Sequence, residues 1–302
     1  MSAAQTDVEK QPATLEQLIA SELDVPIPDA VSAIAEAARA RHGPGISAIL
    51  FYGSCYRDGI VEDRLVDLYL LADDYASVHT NRISAVANRL VPPNVYYLET
   101  ESHGQTVRCK YALVTMAQLE AKVSMTTDNP YFWARFAQPT GLVWCRDATA
   151  REQVAAIMGK AVRTTFAAAR ALTQDMAASE ALWTMVFMET YRTELRAEKP
   201  YRAAEIYQSG AKRYDRITKA LIAEGIKPRP RSWSRTRRNG KALSVLRLIK
   251  AAFTFTAGAD YLAWKIERHS GAHIELTDWQ RRHPILASPP ILWRLIRSKA
   301  VR

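Results

Sequence analysis

Two short segments of this 302-residue chain carry residue types and a spacing that could do chemistry. The first is LFYGS, ending in Gly53-Ser54; the second is VDLYLL, in which Asp67 interrupts an apolar run. A small dipeptide at the end of a buried strand lets backbone amides approach a phosphate. Glycine adds no Cβ, and the serine hydroxyl can hydrogen-bond an oxygen. Aspartate is depleted in strands, and its charge is expensive to bury unless it is paired or coordinates a metal. The combination suits a nucleoside triphosphate held through Mg²⁺. The same residues also fit a plain turn and an edge-strand carboxylate facing water.

Other carboxylates that could complete a metal shell are Asp73, Asp74, Glu99 and Glu101. Asp73-Asp74 fits a helix N-cap pair before Tyr75 equally well. His79, His103, His269, His273 and His283 are scattered, none at a ligand spacing, and carry no assigned chemistry. Cys55, Cys109 and Cys145 lie far apart, without a C-x-x-C pair, so reduced thiols are expected rather than a disulfide scaffold or structural zinc.

The elements that must position these residues follow from periodicity. Helical patterns are expected at about 14–23 and 29–41, the second stopped by Gly43-Pro44-Gly45. ISAILFYGS and LVDLYLLADD read as buried strands, a helix follows at about 75–91 before Pro92-Pro93, and NVYYLETE and QTVRCKYALV read as further strands. That is a compact α/β unit. From about 148 onward the patterns are helical (148–177, 179–198, 201–224), with no convincing strand. The expected organisation is therefore a tail and short helix at 1–28, an α/β domain at 29–147 and a mainly helical, basic domain at 148–302.

Charge separates the two halves. Residues 1–150 hold 12 basic and 18 acidic side chains (12 − 18 = −6), whereas 151–302 hold 29 and 13 (29 − 13 = +16). Between Lys227 and Lys250 there are nine basic residues and no acid, among them Arg235, Arg237 and Arg238. The stretch after Asp278 is also acid-free and sets Trp293, Arg294 and Arg297 among large apolar residues. Clustered cations could hold nucleic acid through phosphates. Interfacial aromatics and an ILWRLIRSK amphipathic pattern favour an anionic membrane surface as the partner, nucleic acid being the less favoured one. A solvated helix face packed on the core is the plain alternative. The N-terminus shows no secretory pattern and no stretch reaches the ~18 apolar residues of a spanning helix, so a protein that does not cross a membrane is expected.

The motifs also carry a resemblance. The Gly-Ser turn and the following strand are similar to the nucleotidyltransferase superfold. Within it, FYGSCYRDG, LVDLYLLADDY, VRCKYALVTMAQLE and YFWARFAQPTGLV, which together span residues 51–143, resemble the mitochondrial-type CDP-diacylglycerol synthases. These are peripheral phosphatidate cytidylyltransferases of the translocator-maintenance type. The basic C-terminal segment carries a weaker similarity.

The resemblance implies an α/β nucleotidyltransferase-fold domain followed by the helical basic domain. It makes Gly53 and Ser54 the triphosphate-binding turn and Asp67 a magnesium ligand. It also sets the Lys110-Tyr111 pair and Arg135 near the nucleotide or phosphate. The sequence departs from the pattern twice. Tyr69 stands where the superfold's second carboxylate would be, and Gln138 replaces a basic residue before Pro139.

Direct reasoning accommodates the missing carboxylate. An alcohol attacking an α-phosphorus needs a base to take its proton, whereas a phosphate oxygen is already anionic. Catalysis then reduces to positioning and charge neutralisation by Mg²⁺, Lys110 and Arg135. The expectation is a Mg²⁺-dependent enzyme converting CTP and phosphatidate to CDP-diacylglycerol and pyrophosphate on the cytoplasmic face of an inner membrane. Asp67, Lys110 and Arg135 would be catalytic, Gly53, Ser54 and Tyr111 would bind nucleotide, and Asp67, Asp73 and Glu99 would bind metal. A homodimer is compatible with the sequence. The alternatives are a nucleotidyltransferase with another acceptor, and a degenerate fold that only binds membrane or nucleic acid.

Overall fold

Seven consecutive residues, Ile46–Tyr52 (β1), are all buried, which requires cover on both faces of the strand. The cover is supplied by a mixed five-stranded sheet and helices on each side. The computed structural model describes residues 13–173, 178–195, 201–254, 277 and 279–280. The other strands are Leu65–Ala72 (β2), Asn94–Ser102 (β3), Gln105–Thr115 (β4) and Gly141–Cys145 (β5), in the spatial order β3-β4-β2-β1-β5. β1 runs antiparallel to β2 and β5, β4 antiparallel to β3, and β2 parallel to β4. β5 is not among the expected strands. Its five residues follow an aromatic stretch, and only pairing with β1 makes them a strand.

The helices are Leu15–Leu23 (α1), Asp29–Ala40 (α2), Ser54–Asp58 (α3), Arg82–Leu90 (α4), Met116–Lys122 (α5) and Trp133–Phe136 (α6). They continue with Ala148–Leu172 (α7), Ser179–Tyr191 (α8), Tyr201–Ser209 (α9), Ala211–Ala223 (α10) and Trp233–Thr254 (α11). The expected helix at 75–91 is shorter because Asp74 accepts the amides of Ala76 and Ser77 in a turn. Asn81 then accepts the Ile83 amide and starts α4. Gly210 interrupts the pattern expected at 201–224 and separates α9 from α10.

Alternation sorts the strand residues onto two faces. Ile49, Phe51, Leu68, Leu70, Cys109, Tyr111 and Leu113 pack against the Val31, Ile34 and Ala38 stripe of α2. Leu50, Tyr52, Tyr69, Leu71, Ala112 and Val114 share a second apolar cluster with α1 and α5–α10. That cluster runs without a break from the sheet into the helices beyond residue 148. α1 opens with a Thr14–Gln17 capping box and buries Leu15, Leu18, Ile19 and Leu23 in the same core. Among the described residues no helix is long and apolar enough to cross a membrane.

Candidate active site

Tyr52, Asp67 and Lys110 form one row across three strands. Tyr52 is the register partner of Asp67 on β2, and Asp67 is the parallel partner of Lys110 on β4. Cross-strand partners share a face, so all three point to the side covered by α6 and α8. The row lies at the end of β1, where the chain leaves the sheet through Gly53.

Gly53 has φ +88°, and a Cβ built there would stand 2.9 Å from Asp67 Oδ2 and 3.3 Å from the Asp67 Cβ. Both the left-handed backbone and the close approach to the carboxylate require glycine. Asp67 Oδ1 is sealed from solvent, has no hydrogen-bond donor aligned on it, and lies 3.2 Å from the Lys110 ammonium. A buried carboxylate oxygen held by a single ion pair leaves coordination capacity unused.

These residues open onto a cavity of about 410 Å³. Its cations are Arg57, Lys110, Arg135 and Arg202, and its acids are Asp67 and Glu194. Four positive charges against two negative ones leave the wall at 4 − 2 = +2. Arg57 lies on α3 one turn beyond Gly53, and its Nη1 donates to Gln138 Oε1 at 3.3 Å. Burial, with Arg202 adding like-charge repulsion, presses the Arg57 pKa down; an anion bound there would offset the repulsion.

Arg135 comes from α6, where Trp133 and Phe136 are buried and anchor the short helix. Its Nη1 donates to Tyr52 Oη at 3.1 Å, and the guanidinium stands 5.3 Å from the Tyr52 ring and 4.7 Å from the Tyr131 ring. Burial pushes the Tyr52 hydroxyl up to about 12, so it stays neutral beside Arg135. Glu194, just past the C-terminus of α8, accepts from the Ser244 hydroxyl of α11 at 3.1 Å. Arg202 also pairs with Glu205 at 2.9 Å.

Of the sequence-selected residues, the structure brings Gly53, Ser54, Asp67, Lys110 and Arg135 to this one cavity. Tyr111 is elsewhere: it neighbours Lys110 on a strand and therefore faces the opposite side. Its hydroxyl lies 3.1 Å from His42 Nε2 and its ring stacks on Tyr96 with centroids 5.1 Å apart. It is corrected from a nucleotide ligand to a core residue.

Asp73 lies six residues along the chain from Asp67, about 20 Å at strand rise. Ser47 Oγ donates to it at 2.6 Å, and Arg146 Nη2 donates at 3.1 Å. Glu99 sits two strands and two residues from Asp67, about 12 Å away by sheet spacing. It accepts from the Tyr97 hydroxyl and from Arg108 Nε at 3.1 Å. Neither carboxylate shares the cavity with Asp67 as a metal ligand. Glu101 accepts from Thr106 Oγ1, and Tyr69 is buried against Phe136 with centroids 4.9 Å apart.

In the basic segment, Arg235 pairs with Asp128 at 3.1 Å and Arg237 with Glu189 at 2.9 Å. Arg237 is half-buried, while Arg235 and Arg238 are exposed. Trp293, Arg294 and Arg297 lie outside the described residues. The sequence reading missed Arg57, Glu194 and Arg202. Arg57 was one turn past the Gly-Ser pair and could have been found; Glu194 and Arg202 arrive only through helix packing.

Among the described residues, no group of three His, Cys, Asp or Glu side chains could hold a metal ion. Magnesium carried by a nucleotide needs only one or two carboxylates, its remaining sites being filled by phosphate oxygens and water. Asp67, as a carboxylate lining the cavity, meets that lesser demand. The cavity fits a metal that enters with its substrate.

No protein-family model matches the chain, and no curated protein matches it. Among solved structures it is similar to a nucleotidyltransferase-like protein from Exiguobacterium sibiricum, with 11% identity over 90% of this chain and 92% of that one. The TM-score is 0.29, too low to carry weight. Any functional conclusion has to come from the cavity.

Proposed function

We propose that the cavity transfers a nucleotidyl group from a magnesium-bound nucleoside triphosphate to an anionic phosphate acceptor, with CTP and phosphatidate as the pair. The supporting observation is the Tyr52–Asp67–Lys110 row beside Gly53, opening onto a wall with four cations. Gly53 lets the backbone of the Gly-Ser turn approach the triphosphate. Arg57 and Arg202 neutralise its distal phosphates, and Asp67 holds the metal. When bound, magnesium would supply charge neutralisation on the phosphate oxygens. Lys110 and Arg135 draw the acceptor phosphate toward the α-phosphorus.

A phosphate oxygen of the acceptor forms the new P–O bond as the bond to pyrophosphate breaks. Because that oxygen is already ionised, no proton has to be removed. Glu99 and Glu101 do not converge on Asp67, so the strand supplies no general base. Glu194 on the facing wall supports a second reading, in which an alcohol is the acceptor and Glu194 takes its proton.

Purified protein incubated with labelled CTP, Mg²⁺ and phosphatidate-containing vesicles should release pyrophosphate and form CDP-diacylglycerol. Glu194→Gln should retain most of that activity. A fall of about 10²-fold or more, with turnover transferred to alcohol acceptors in the wild type, would establish the second reading instead. Failure of every nucleotide to react or bind would remove both.

A further inference from the structure

α11 meets the protein along one stripe. Thr236, Gly240, Ser244, Arg247 and Lys250 follow the three- and four-residue spacing of a helix side, and each is buried or half-buried. The stripe touches two separate stretches of the cavity lining. Gly240 lies against the chain just past α8, where a Cβ would stand 2.6 Å from the Thr193 carbonyl oxygen. Ser244 donates to the next residue, Glu194, at 3.1 Å. One turn further on, Arg247 reaches the other stretch. Its guanidinium carbon stands 3.7 Å from the centroid of the Tyr131 ring. An in-plane approach would be stopped farther out by the ring hydrogens, so the guanidinium lies over the ring face. The main chain holds it there: Arg247 Nε donates to Pro92 O at 3.0 Å, and Lys250 Nζ donates to Pro93 O at 2.6 Å.

Tyr131 is in turn a support of Arg135, whose guanidinium carbon is 4.7 Å from the same ring. The other support of Arg135 is Tyr52, through its ring at 5.3 Å and its hydroxyl at 3.1 Å. No ion pair fixes Arg135 among the described residues. A guanidinium held by neutral rings is placed only as well as those rings are placed. Tyr131 is half-buried, and its local contacts belong to its own segment. Phe132 meets it edge-on at 4.9 Å, and its amide donates to Asn129 Oδ1 at 2.9 Å. Such contacts move with the segment. Arg247 comes from another element, so its contact ties the ring to a fixed frame.

We propose that Arg247 is a positioning residue: by covering the Tyr131 ring it sets where Arg135 stands in the cavity. Its consequence for catalysis rests on the nucleotidyl-transfer reading, in which Arg135 receives the acceptor phosphate; the placement of Arg135 itself does not. Gly53, Arg57 and Arg202, which that reading gives to the triphosphate, take no part in the Arg247–Tyr131–Arg135 stack. Loss of Arg247 therefore disturbs the acceptor side and spares nucleotide binding.

The test compares full-length wild type with Arg247→Met, Arg247→Lys, Arg135→Met and the Arg135→Met, Arg247→Met double variant. Without any substrate, phenylglyoxal labels accessible guanidinium groups. Peptide mass spectrometry reads the labelling rate at Arg135 and, as an internal control, at Arg57. In Arg247→Met, Arg135 should label about fivefold faster while Arg57 keeps its wild-type rate. Arg247→Lys keeps the charge without the planar group and should behave like Arg247→Met. With Mg²⁺, CTP and phosphatidate vesicles, Arg247→Met should lower kcat/KM for phosphatidate by about tenfold and leave the Kd of CTP within about twofold. Adding Arg247→Met to Arg135→Met should lower turnover no further, since the one residue acts through the other. Unchanged labelling of Arg135 in Arg247→Met overturns the proposal. So does a parallel rise at Arg57, which would mean general loosening, or full recovery in Arg247→Lys, which would mean charge alone. Additive losses in the double variant overturn it as well. Arg135 labelling that responds as expected in a protein that does not turn over CTP and phosphatidate removes the reaction reading and upholds the hold of Arg247 on Arg135.

Discussion

Asp67 lies near the start of β2 and Asp73 just past its end, and the sequence offers both as metal ligands. Their surroundings differ sharply. Asp73 is 44% exposed and bound by Arg146 and Ser47, so its oxygens are already occupied. Asp67 is 23% exposed, keeps an oxygen with no aligned donor, and faces a cationic cavity. The carboxylate with unused coordination capacity at a cavity is the candidate for chemistry; the satisfied one is a fastener. Saturation and position separate the two, where residue type does not.

The largest effect should come from Asp67. Asp67→Asn keeps the shape and removes the charge that would hold a metal-bound triphosphate, so turnover should fall by about 10²- to 10³-fold. Circular dichroism and the melting temperature should change little, because the amide keeps the shape of the carboxylate. Undiminished turnover in this variant would erase the distinction between the two aspartates.

Gly53→Ala should come next. The new methyl meets Asp67 Oδ2 at 2.9 Å on a backbone with φ +88°. The carboxylate must move, costing about 1–3 kcal/mol of stability and about 10²-fold in turnover through misplacement. Denaturant unfolding measures the first and steady-state kinetics the second. A stable, fully active alanine variant would show that the close approach is not needed.

A smaller effect separates two neighbours on β4. Lys110 lines the cavity and Tyr111 does not, although both were expected near the nucleotide. Tyr111→Phe removes the hydroxyl bonded to His42 and should cost about 1 kcal/mol of stability while leaving kcat and KM unchanged. Loss of nucleotide affinity in this variant would return Tyr111 to the site.

Three of the sequence-selected residues that the structure brings to the cavity share a property. Gly53 and Ser54 end an apolar run and Asp67 interrupts one, and such a break is visible in one dimension. Tyr111 was misread because a resemblance treats Lys110-Tyr111 as a unit, whereas a strand must separate consecutive side chains onto two faces. β5 was missed because five residues have too little periodicity to register without a partner strand. The basic run in α11 looked like one patch. Helical rotation divides it, sending Arg235 and Arg237 to Asp128 and Glu189 and leaving Arg238 and Lys241 outside. Glu194 and Arg202 have no local signature, and only the packing of α8 and α9 brings them to the cavity.

The smallest effect tests the other end of β2. Asp73→Asn removes a partly exposed network that ties β2 to Ser47 and Arg146. Solvent screening limits its worth to less than about 1 kcal/mol, and turnover should not change. The hydrogen bond from Arg146 is the largest influence on Asp73; burial opposes it, Ser47 adds to it, and the carboxyl ends below its ordinary range. A carboxyl depressed on folding contributes stability above its unfolded pKa, about 3.9, and loses it as pH falls through the lower folded value. The unfolding midpoints of wild type and Asp73→Asn should therefore differ by a constant amount from neutrality down to about pH 4, then converge in more acidic solution. A gap that survives full protonation would mean that Asp73 acts through shape rather than charge.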